Sequence, residues 1–218
     1  MKKILFCFLL YFPVTASHAQ KTDRHLLQAV EQLLQGFNGD IGVYVHDLKK
    51  NKIIAINADT VFPTASMVKV PILTGIMDKI EKKELDYHQT LVYKDSLLYE
   101  GVDILGSFKN DEKIELSKVM MLMLTMSDNT VSLWLQSLAG KGTKINELMD
   151  GLGLKVTRVN SRTPGREMNR SLYGWGQTSP REMATLMEKI VKRQVISDSA
   201  SQQMLRLLGR NYWDENAI

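Results

Sequence analysis

Two residues in the segment FPTASMVKV could together carry out acyl transfer: Ser66 and Lys69. They are three positions apart, so on a helix they lie on the same face. A serine hydroxyl is a weak nucleophile at neutral pH, but a lysine can act as its base when burial lowers the lysine pKa. The start of a helix also offers free backbone N–H groups that stabilise an oxyanion. The pattern Ser-x-x-Lys is common by chance. The alternative interpretation is therefore that Ser66 only caps the helix and that Lys69 is only a solvated side chain.

A second motif favours the catalytic interpretation. The tripeptide Ser127-Asp128-Asn129 follows a strongly apolar segment. Its serine hydroxyl could relay a proton to a leaving group, its Asn side chain could hydrogen-bond a substrate amide, and its Asp could fix the turn that presents both. Taken alone, the tripeptide could equally be an ordinary turn at the end of a helix.

These residues must be positioned by a predominantly helical chain with one early hairpin. The apolar spacing and the cap signals predict helices and strands at the following places. The helices are predicted over residues 24–36, 66–83, 115–127, 130–138, 144–152, 179–192 and 199–208, and the two strands of the hairpin over 40–48 and 52–57. Residues 87–113 are predicted to be mixed and rich in loops, and residues 155–178 to form a long irregular loop. The methionines of residues 120–126 are expected to fill the core.

Together the two motifs resemble those of the class A β-lactamases and penicillin-binding proteins, whose signature is Ser-x-x-Lys, then Ser-Asp-Asn, then Lys-Thr-Gly. The similarity extends from about residue 24 to residue 218. It includes the segments FPTASMVKVPIL, LTMSDNTVSLWL, GLKVTRVN and TSPREMATLM. The resemblance implies an α/β fold of the class A β-lactamase type, with a helical lobe and an antiparallel sheet lobe.

The resemblance also implies roles for individual residues. Ser66 would be the nucleophile, Lys69 would help to deprotonate it, and Ser127 would pass a proton to the β-lactam nitrogen. Asn129 would bind the acyl-amide side chain of the substrate. Tyr99 lies in the loop where the family often has an aromatic wall, although it could also be a core or surface tyrosine. The implied partner is a small-molecule β-lactam, with no cofactor or metal, and the protein is expected to be a monomer.

The loop before residue 179 departs from the family pattern. Class A enzymes carry Glu-x-x-x-Asn there, and the Glu orients the water that removes the acyl group. An alignment without gaps places Thr163 at the Glu position and Glu167 at the Asn position. Thr cannot act as a general base near neutral pH. Glu167 is therefore the candidate base, and its alternative is a surface residue that bonds within the loop. Acylation is better supported than fast hydrolysis.

The Lys-Thr-Gly motif is the second departure. The segment Lys141–Thr143 reads KGT, but it lies too early in the chain and is predicted to be a turn between helices. The third motif would fall beyond Ile218, as would the strands that should pair with the hairpin. We therefore expect residues 20–218 to form a catalytic domain that is incomplete at its C-terminus and contains only the first hairpin of the sheet. Such a piece is not expected to bind a substrate carboxylate, whereas the intact protein is.

The first 19 residues have the pattern of a secretory signal peptide. Two lysines precede an apolar run, and Ser17-His18-Ala19 provides small residues before a predicted cleavage at Gln20. A membrane anchor is the alternative, but the apolar run is too short to span a bilayer. We expect a periplasmic or secreted protein without a stable membrane anchor. Without these residues the net charge is about +2 and no cysteine remains, which argues against nucleic-acid binding and against disulfides.

Other classes of protein fit the sequence less well. No Gly-x-Ser-x-Gly motif of a Ser-His-Asp hydrolase occurs, and His25, His46 and His88 lack the spacing of zinc ligands. The closest rival is a penicillin-binding transpeptidase or carboxypeptidase that acts on peptidoglycan, which Thr163 favours. A β-lactam-binding sensor domain that stays acylated would need a membrane-spanning partner segment, and the sequence contains none.

Overall fold

The computed structural model describes residues 20–101 and 103–210. The predicted signal peptide, residues 1–19, lies outside the described residues. The α-helices are α1 Arg24–Leu33, α2 Lys69–Glu81, α3 Leu116–Thr125, α4 Asn129–Leu138, α5 Lys141–Gly151, α6 Glu167–Tyr173, α7 Pro180–Val191 and α8 Asp198–Leu208. The strands are β1 Lys21–Thr22, β2 Val43–Asp47, β3 Lys52–Ile56, β4 Phe62–Pro63, β5 Thr90–Val92, β6 Lys113–Glu115, β7 Arg158–Val159 and β8 Gly176–Thr178. This arrangement confirms the predicted α/β fold class.

The sheet of the hairpin is larger than the sequence predicted. Strands β2 and β3 pair antiparallel, with Val43 opposite Ile56 and Asp47 opposite Lys52, so the hairpin itself is confirmed. The prediction that the sheet contains only this hairpin is wrong, because β1 pairs parallel to β3 and gives the strand order β1-β3-β2. A strand of two residues has no alternation that a sequence pattern could reveal.

Residues 155–178 are also more ordered than an irregular loop. They contain helix α6 between two short strands, and β8 pairs antiparallel with both β7 and β4. The pairing of β8 with β4 brings this segment beside residues 62–63, at the entrance to α2. The KGT segment is not a turn between helices but the first turn of α5, which follows Gly140 in a left-handed conformation with φ of 89°.

Helix α2 runs through the centre of the hydrophobic core, with every residue from Pro71 to Met77 buried. It packs against α4, α5 and α8. The approach to α5 is close, because a Cβ on Gly75 would lie 2.9 Å from Ile145 Cγ1. Met120 and Met123 of α3 are fully buried in the same cluster, as predicted. A helix so tightly surrounded holds its N-terminus in a fixed position.

Helix α7 anchors the start of the 155–178 segment. As predicted, Ser179 is its N-cap and accepts a hydrogen bond from the Glu182 backbone N–H, and Pro180 is its first residue. The Glu182 carboxylate accepts hydrogen bonds from the backbone N–H groups of residues 155–157. Within the described residues, none of the helices combines the length and the apolar character that crossing a bilayer requires.

Candidate active site

Ser66 lies on a short 3-10 turn, Ala65–Val68, that leads directly into α2. The sequence predicted one continuous helix from residue 66, so this detail is a correction. Side chains three positions apart are eclipsed in a 3-10 helix, and Ser66 and Lys69 therefore still point to the same side. The turn is fixed from outside, because the Thr64 backbone N–H donates to the Gly176 carbonyl of β8 at 3.0 Å. Ser66 itself is exposed, as a nucleophile must be.

Lys69 connects both serines of the two motifs. Its Nζ lies 3.1 Å from Ser66 Oγ, 2.7 Å from Ser127 Oγ and 2.8 Å from the Ser127 carbonyl oxygen. The two hydroxyl oxygens are 2.8 Å apart. Asn129 Oδ1 lies 3.5 Å from the same Nζ. The structure thus brings together four of the residues that the sequence singled out, from two segments about 60 positions apart.

The environment of Lys69 favours its neutral form. The residue is 4% exposed, and burial lowers the pKa of Lys69 from 10.5 to about 8, against the opposing effect of the nearby Asp128 charge. With a pKa of about 8, about one lysine in ten is neutral at pH 7. A neutral amine can accept the proton of Ser66 while its own hydrogens bond the Ser127 oxygens.

The turn between α3 and α4 holds Ser127 in place. Ser127 has a φ of 57°, a conformation that non-glycine residues seldom adopt. The fully buried Asp128 caps α4 through the Val131 backbone N–H and accepts two further backbone hydrogen bonds, from Ile104 at 2.6 Å and Leu105 at 3.0 Å. The carboxylate therefore ties the 3-10 turn at residues 105–107 to the turn that presents Ser127 and Asn129, which is the role that the sequence suggested for it.

A cleft of about 400 Å³ opens beside Ser66. It is lined by Pro63, Ala65, Ser66, Val68, Lys69, Tyr99, Asn129, Tyr173, Gly174 and Trp175. The structure thus places Tyr99 on the cleft, as the resemblance implied. Among the described residues, those that line this cleft include no aspartate or glutamate. The cleft combines an apolar aromatic wall with the few polar groups of the two motifs, a composition typical of small-molecule sites.

Sequence reasoning missed the residues Tyr173, Gly174 and Trp175. Tyr173 is the last residue of α6, Gly174 and Trp175 follow it, and all three belong to the segment that was predicted to be an irregular loop. The available signal was two aromatic residues around a glycine, separated from the cap of α7 by strand β8. The pairing of β8 with β4 helps to bring this turn to Ser66, and strands of two or three residues give no usable pattern.

The structure does not bring Glu167 or Thr163 into the cleft. Glu167 is exposed at the start of α6, where its Oε1 accepts a hydrogen bond from the Gly165 backbone N–H at 3.1 Å. Thr163 is buried against Gly142 of α5 and donates to the Ser161 carbonyl at 2.9 Å. Both line a separate cavity on the surface. Glu167 therefore bonds within its own loop. This was the alternative to a role as the catalytic base.

Beside the cleft, the loop is held by a network of amides and a guanidinium group. Arg166 donates to Asn160 Oδ1 at 2.9 Å and to Gln177 Oε1 at 2.7 Å, and Asn169 donates to the same Gln177 oxygen at 3.0 Å. Gln177 lies opposite Pro63 in the β4–β8 pair, so the network reaches the edge of the cleft. Within the described residues, no group of three or more His, Cys, Asp or Glu side chains could hold a metal ion.

Comparison with known proteins places this arrangement in a family. A family model described as "Beta-lactamase enzyme family" matches residues 25–218. The chain is 30% identical over 132 residues to the β-lactamase VEB-1 of Pseudomonas aeruginosa, which covers 59% of this chain and 44% of that protein. It is 22% identical to the β-lactamase SME-1 of Serratia marcescens, over 88% of this chain and 65% of that protein. The chain thus spans about half to two thirds of the length of such curated relatives.

Solved structures give the same result. A structure of PBP-A superposes with a TM-score of 0.77 at 26% identity, over 88% of this chain and 71% of that one. A mutant of PBP-A, solved as an acyl-enzyme complex with penicillin G, gives the same score at 27% identity. An ancestral class A β-lactamase superposes with a TM-score of 0.73 at 20% identity, over 85% of this chain and 71% of that one. The resemblance seen in the motifs therefore extends to the fold.

Proposed function

Because this chain belongs to the beta-lactamase enzyme family, we propose that it opens β-lactam rings through a serine acyl-enzyme formed on Ser66. One observation carries the proposal: the buried Lys69 Nζ lies within hydrogen-bond distance of both Ser66 Oγ and Ser127 Oγ. The three groups form a continuous path for a proton from the nucleophile to a leaving group. Neither a helix cap nor a solvated lysine would need this arrangement.

The path supports the following acylation step. Neutral Lys69 takes the proton of Ser66 Oγ while that oxygen forms a bond to the β-lactam carbonyl carbon. The backbone N–H of Ser66, at the start of the turn into α2, is placed to stabilise the oxyanion. The ring C–N bond then breaks, and its nitrogen receives the proton from Lys69 through Ser127 Oγ. An ester remains on Ser66, and Lys69 is neutral again.

The substrate would be oriented by the second motif. Asn129 lines the cleft beside Lys69, so its side-chain amide can hydrogen-bond the acyl-amide group of a β-lactam. Hydrolysis then requires a water molecule to attack the ester, return a proton to Ser66 and release the opened product. No described residue on the cleft supplies a carboxylate for that step, and we therefore expect hydrolysis to be slower than acylation.

The second candidate function is that of a penicillin-binding peptidase, which forms the same acyl-enzyme but acts on peptidoglycan. The positions of Thr163 and Glu167 outside the cleft favour it, as does the similarity to PBP-A. With either function we propose that the protein acts outside the cytoplasm. Export itself is supported by the sequence of residues 1–19 alone.

The experiment is covalent labelling of the intact, full-length protein with penicillin G, followed by intact-mass measurement and peptide mapping. We expect a mass increase equal to one penicillin, located on the peptide that contains Ser66. The Ser66→Ala variant should show no adduct, whereas Ser171→Ala, at an exposed serine of α6, should be labelled like the natural protein. Labelling of Ser66→Ala at the natural rate would refute the mechanism.

A further inference from the structure

Two cavities meet at Ser66, and their walls differ in chemistry. The cleft described above carries three aromatic side chains, from Tyr99, Tyr173 and Trp175. A second cavity of about 300 Å³ lies on the other side of the nucleophile. Its walls are formed by Ser66, Met67, Lys69, Val70, Leu124, Ser127 and Leu208, which include no aromatic residue. Among residues 20–101 and 103–210, the aromatic side chains that line these two cavities thus belong to the first one alone.

The aromatic wall is built from two distant segments. The rings of Tyr99 and Trp175 are 5.1 Å apart between centroids, with an interplanar angle of 78°. Both side chains are half-buried, so each ring keeps part of its surface open to the cleft. Two nearly perpendicular rings form a corner, and a third flat ring can pack against the face of one and the edge of the other.

The backbone on both sides of this corner is fixed. The Trp175 carbonyl accepts hydrogen bonds from the backbone N–H groups of Asn160 at 2.7 Å and Ser161 at 3.0 Å. The next residue, Gly176, fits closely, since an added Cβ would lie 2.6 Å from Val68 Cγ2. The Tyr99 backbone N–H donates to Thr130 Oγ1 at 2.9 Å. An anchored wall of this kind loses little freedom when a ligand binds.

The position of Asn129 determines which part of a substrate reaches the wall. Asn129 lines the aromatic cleft, and under the proposed function its amide bonds the acyl-amide group of the substrate. Whatever substituent follows that amide then extends along the same cleft, toward Tyr99 and Trp175.

We propose that Trp175, paired with Tyr99, determines specificity by receiving an aromatic ring in the acyl side chain of the substrate. This inference rests on the proposed function and adds a substrate class to it: β-lactams or acyl-amides with an arylacetyl type of side chain. Trp175 acts through contact with the substrate and takes no part in the proton transfers among Ser66, Lys69 and Ser127.

The test uses two penicillins that differ only in one ring, one with a phenylacetyl and one with an acetyl side chain. The second-order rate constant of acylation is measured for each by intact mass. We expect the natural protein to prefer the phenylacetyl compound by roughly tenfold. Trp175→Ala should lose most of this preference while its rate with the acetyl compound is kept. Trp175→Phe should retain most of the preference because it keeps a ring in the corner.

Met168→Ala provides the matched control. Met168 belongs to the adjacent helix α6 but is 78% exposed and does not line the cleft. We expect this variant to keep the full preference. A natural protein that reacts equally fast with both penicillins would overturn the proposal, and so would a Trp175→Ala variant with an unchanged ratio.

A binding measurement separates this proposal from the proposed function. Isothermal titration calorimetry of the Ser66→Ala variant with the two penicillins measures recognition of the ring without any acylation. We expect roughly tenfold tighter binding of the phenylacetyl compound, reduced to near equality in Ser66→Ala/Trp175→Ala. If the natural protein forms no adduct but the binding preference is present, the proposed function fails and the ring-binding site stands. Equal affinities for the two penicillins in the Ser66→Ala variant would overturn the site itself.

Discussion

The turn at Ser66 and the loop of residues 160–170 are both linked to strand β8, but their polar groups are arranged differently. Around Ser66, a buried amine and two hydroxyl groups lie within about 3 Å of one another and face the cleft. In the loop, the hydrogen bonds of Arg166, Glu167 and Thr163 join the loop to itself or to its supporting strand. The contacts of the first region would allow a proton to move between its groups, whereas those of the second stabilise the loop itself.

This difference separates the two halves of a serine hydrolase cycle. Acylation needs a nucleophile, a base and a proton path to the leaving group, and these are the roles that we propose for Ser66, Lys69 and Ser127. Deacylation needs a base that activates water, and the residue at the expected position is Thr163, turned away toward Gly142. Acylation and hydrolysis can thus differ widely in rate on the same scaffold.

The largest effect should come from removing the base on the acylating side. Lys69→Met keeps the volume of the side chain but removes the amine, and we expect acylation to slow by ~10²–10⁴-fold. Removing the amine takes a positive charge away from the buried Asp128, but this carboxylate keeps its three backbone hydrogen bonds, and we expect the variant to fold. Lys82→Met, at an exposed lysine just after α2, is the control and should be labelled normally. A labelling rate in Lys69→Met close to that of the natural protein would show that another group deprotonates Ser66.

The second prediction concerns the support of the loop. An added Cβ at Gly142 would lie 1.8 Å from Thr163 Oγ1, so Gly142→Ala must displace the loop. We expect a loss of about 1–3 kcal/mol in the free energy of unfolding, measured by denaturant titration. Gly151→Ala in the same helix meets nothing within 4 Å and should be neutral or slightly stabilising.

The same variant tests whether the two regions are independent. Acylation of folded Gly142→Ala by penicillin G should remain within a few-fold of the natural rate, because the Lys69 contacts do not pass through the loop. A loss of acylation as large as that of Lys69→Met would mean that the loop also organises the nucleophile.

The third prediction is a pH dependence of acylation. Burial lowers the pKa of Lys69 to about 8, so the reactive neutral form increases as the pH rises toward and through that value. We expect the acylation rate to rise about fivefold from pH 7 to pH 8 and to level off above pH 9, after subtraction of the rate measured with Ser66→Ala. A flat profile across this range would exclude neutral Lys69 as the base.

The smallest effect is expected at Glu167. Its carboxylate is exposed and bonds only the Gly165 backbone N–H among the described contacts. Glu167→Gln keeps the shape of the side chain and should change the deacylation rate, followed by intact mass after removal of free penicillin, by no more than about twofold. A tenfold slower deacylation would assign Glu167 as the base and remove the distinction between the two regions.

The sequence predicted the parts of the molecule that depend on strong local patterns. The hairpin, the long helices, the Ser179 cap and the meeting of Ser66, Lys69, Ser127 and Asn129 were all foreseen, because helical spacing and motif spacing are local properties. The proposed chemistry required that the Lys69 amine be buried so that its pKa is lowered. The sequence could not show this burial, which depends on how α2 packs.

The remainder depended on contacts between distant segments. Strand β1 and the β4–β8 pair involve only two residues on at least one side, too few for a recognisable alternation. The aromatic corner of Tyr99 and Trp175 exists because β8 docks beside the turn into α2. The alignment placed Glu167 at the family's Asn position, near the expected base. In the structure its carboxylate instead accepts a hydrogen bond from Gly165, and Thr163 is buried. The expected signal peptide and the domain limits remain predictions.

The most direct test of the central claim is a time course of intact mass after mixing the protein with a small excess of penicillin G, with free penicillin measured in parallel. We expect a stoichiometric adduct on Ser66 to form and to accumulate, because acylation is complete before hydrolysis begins to remove the ester. Consumption of the excess penicillin without any accumulated adduct would contradict this. Deacylation would then be the faster half of the cycle, and the loop would contain a working base.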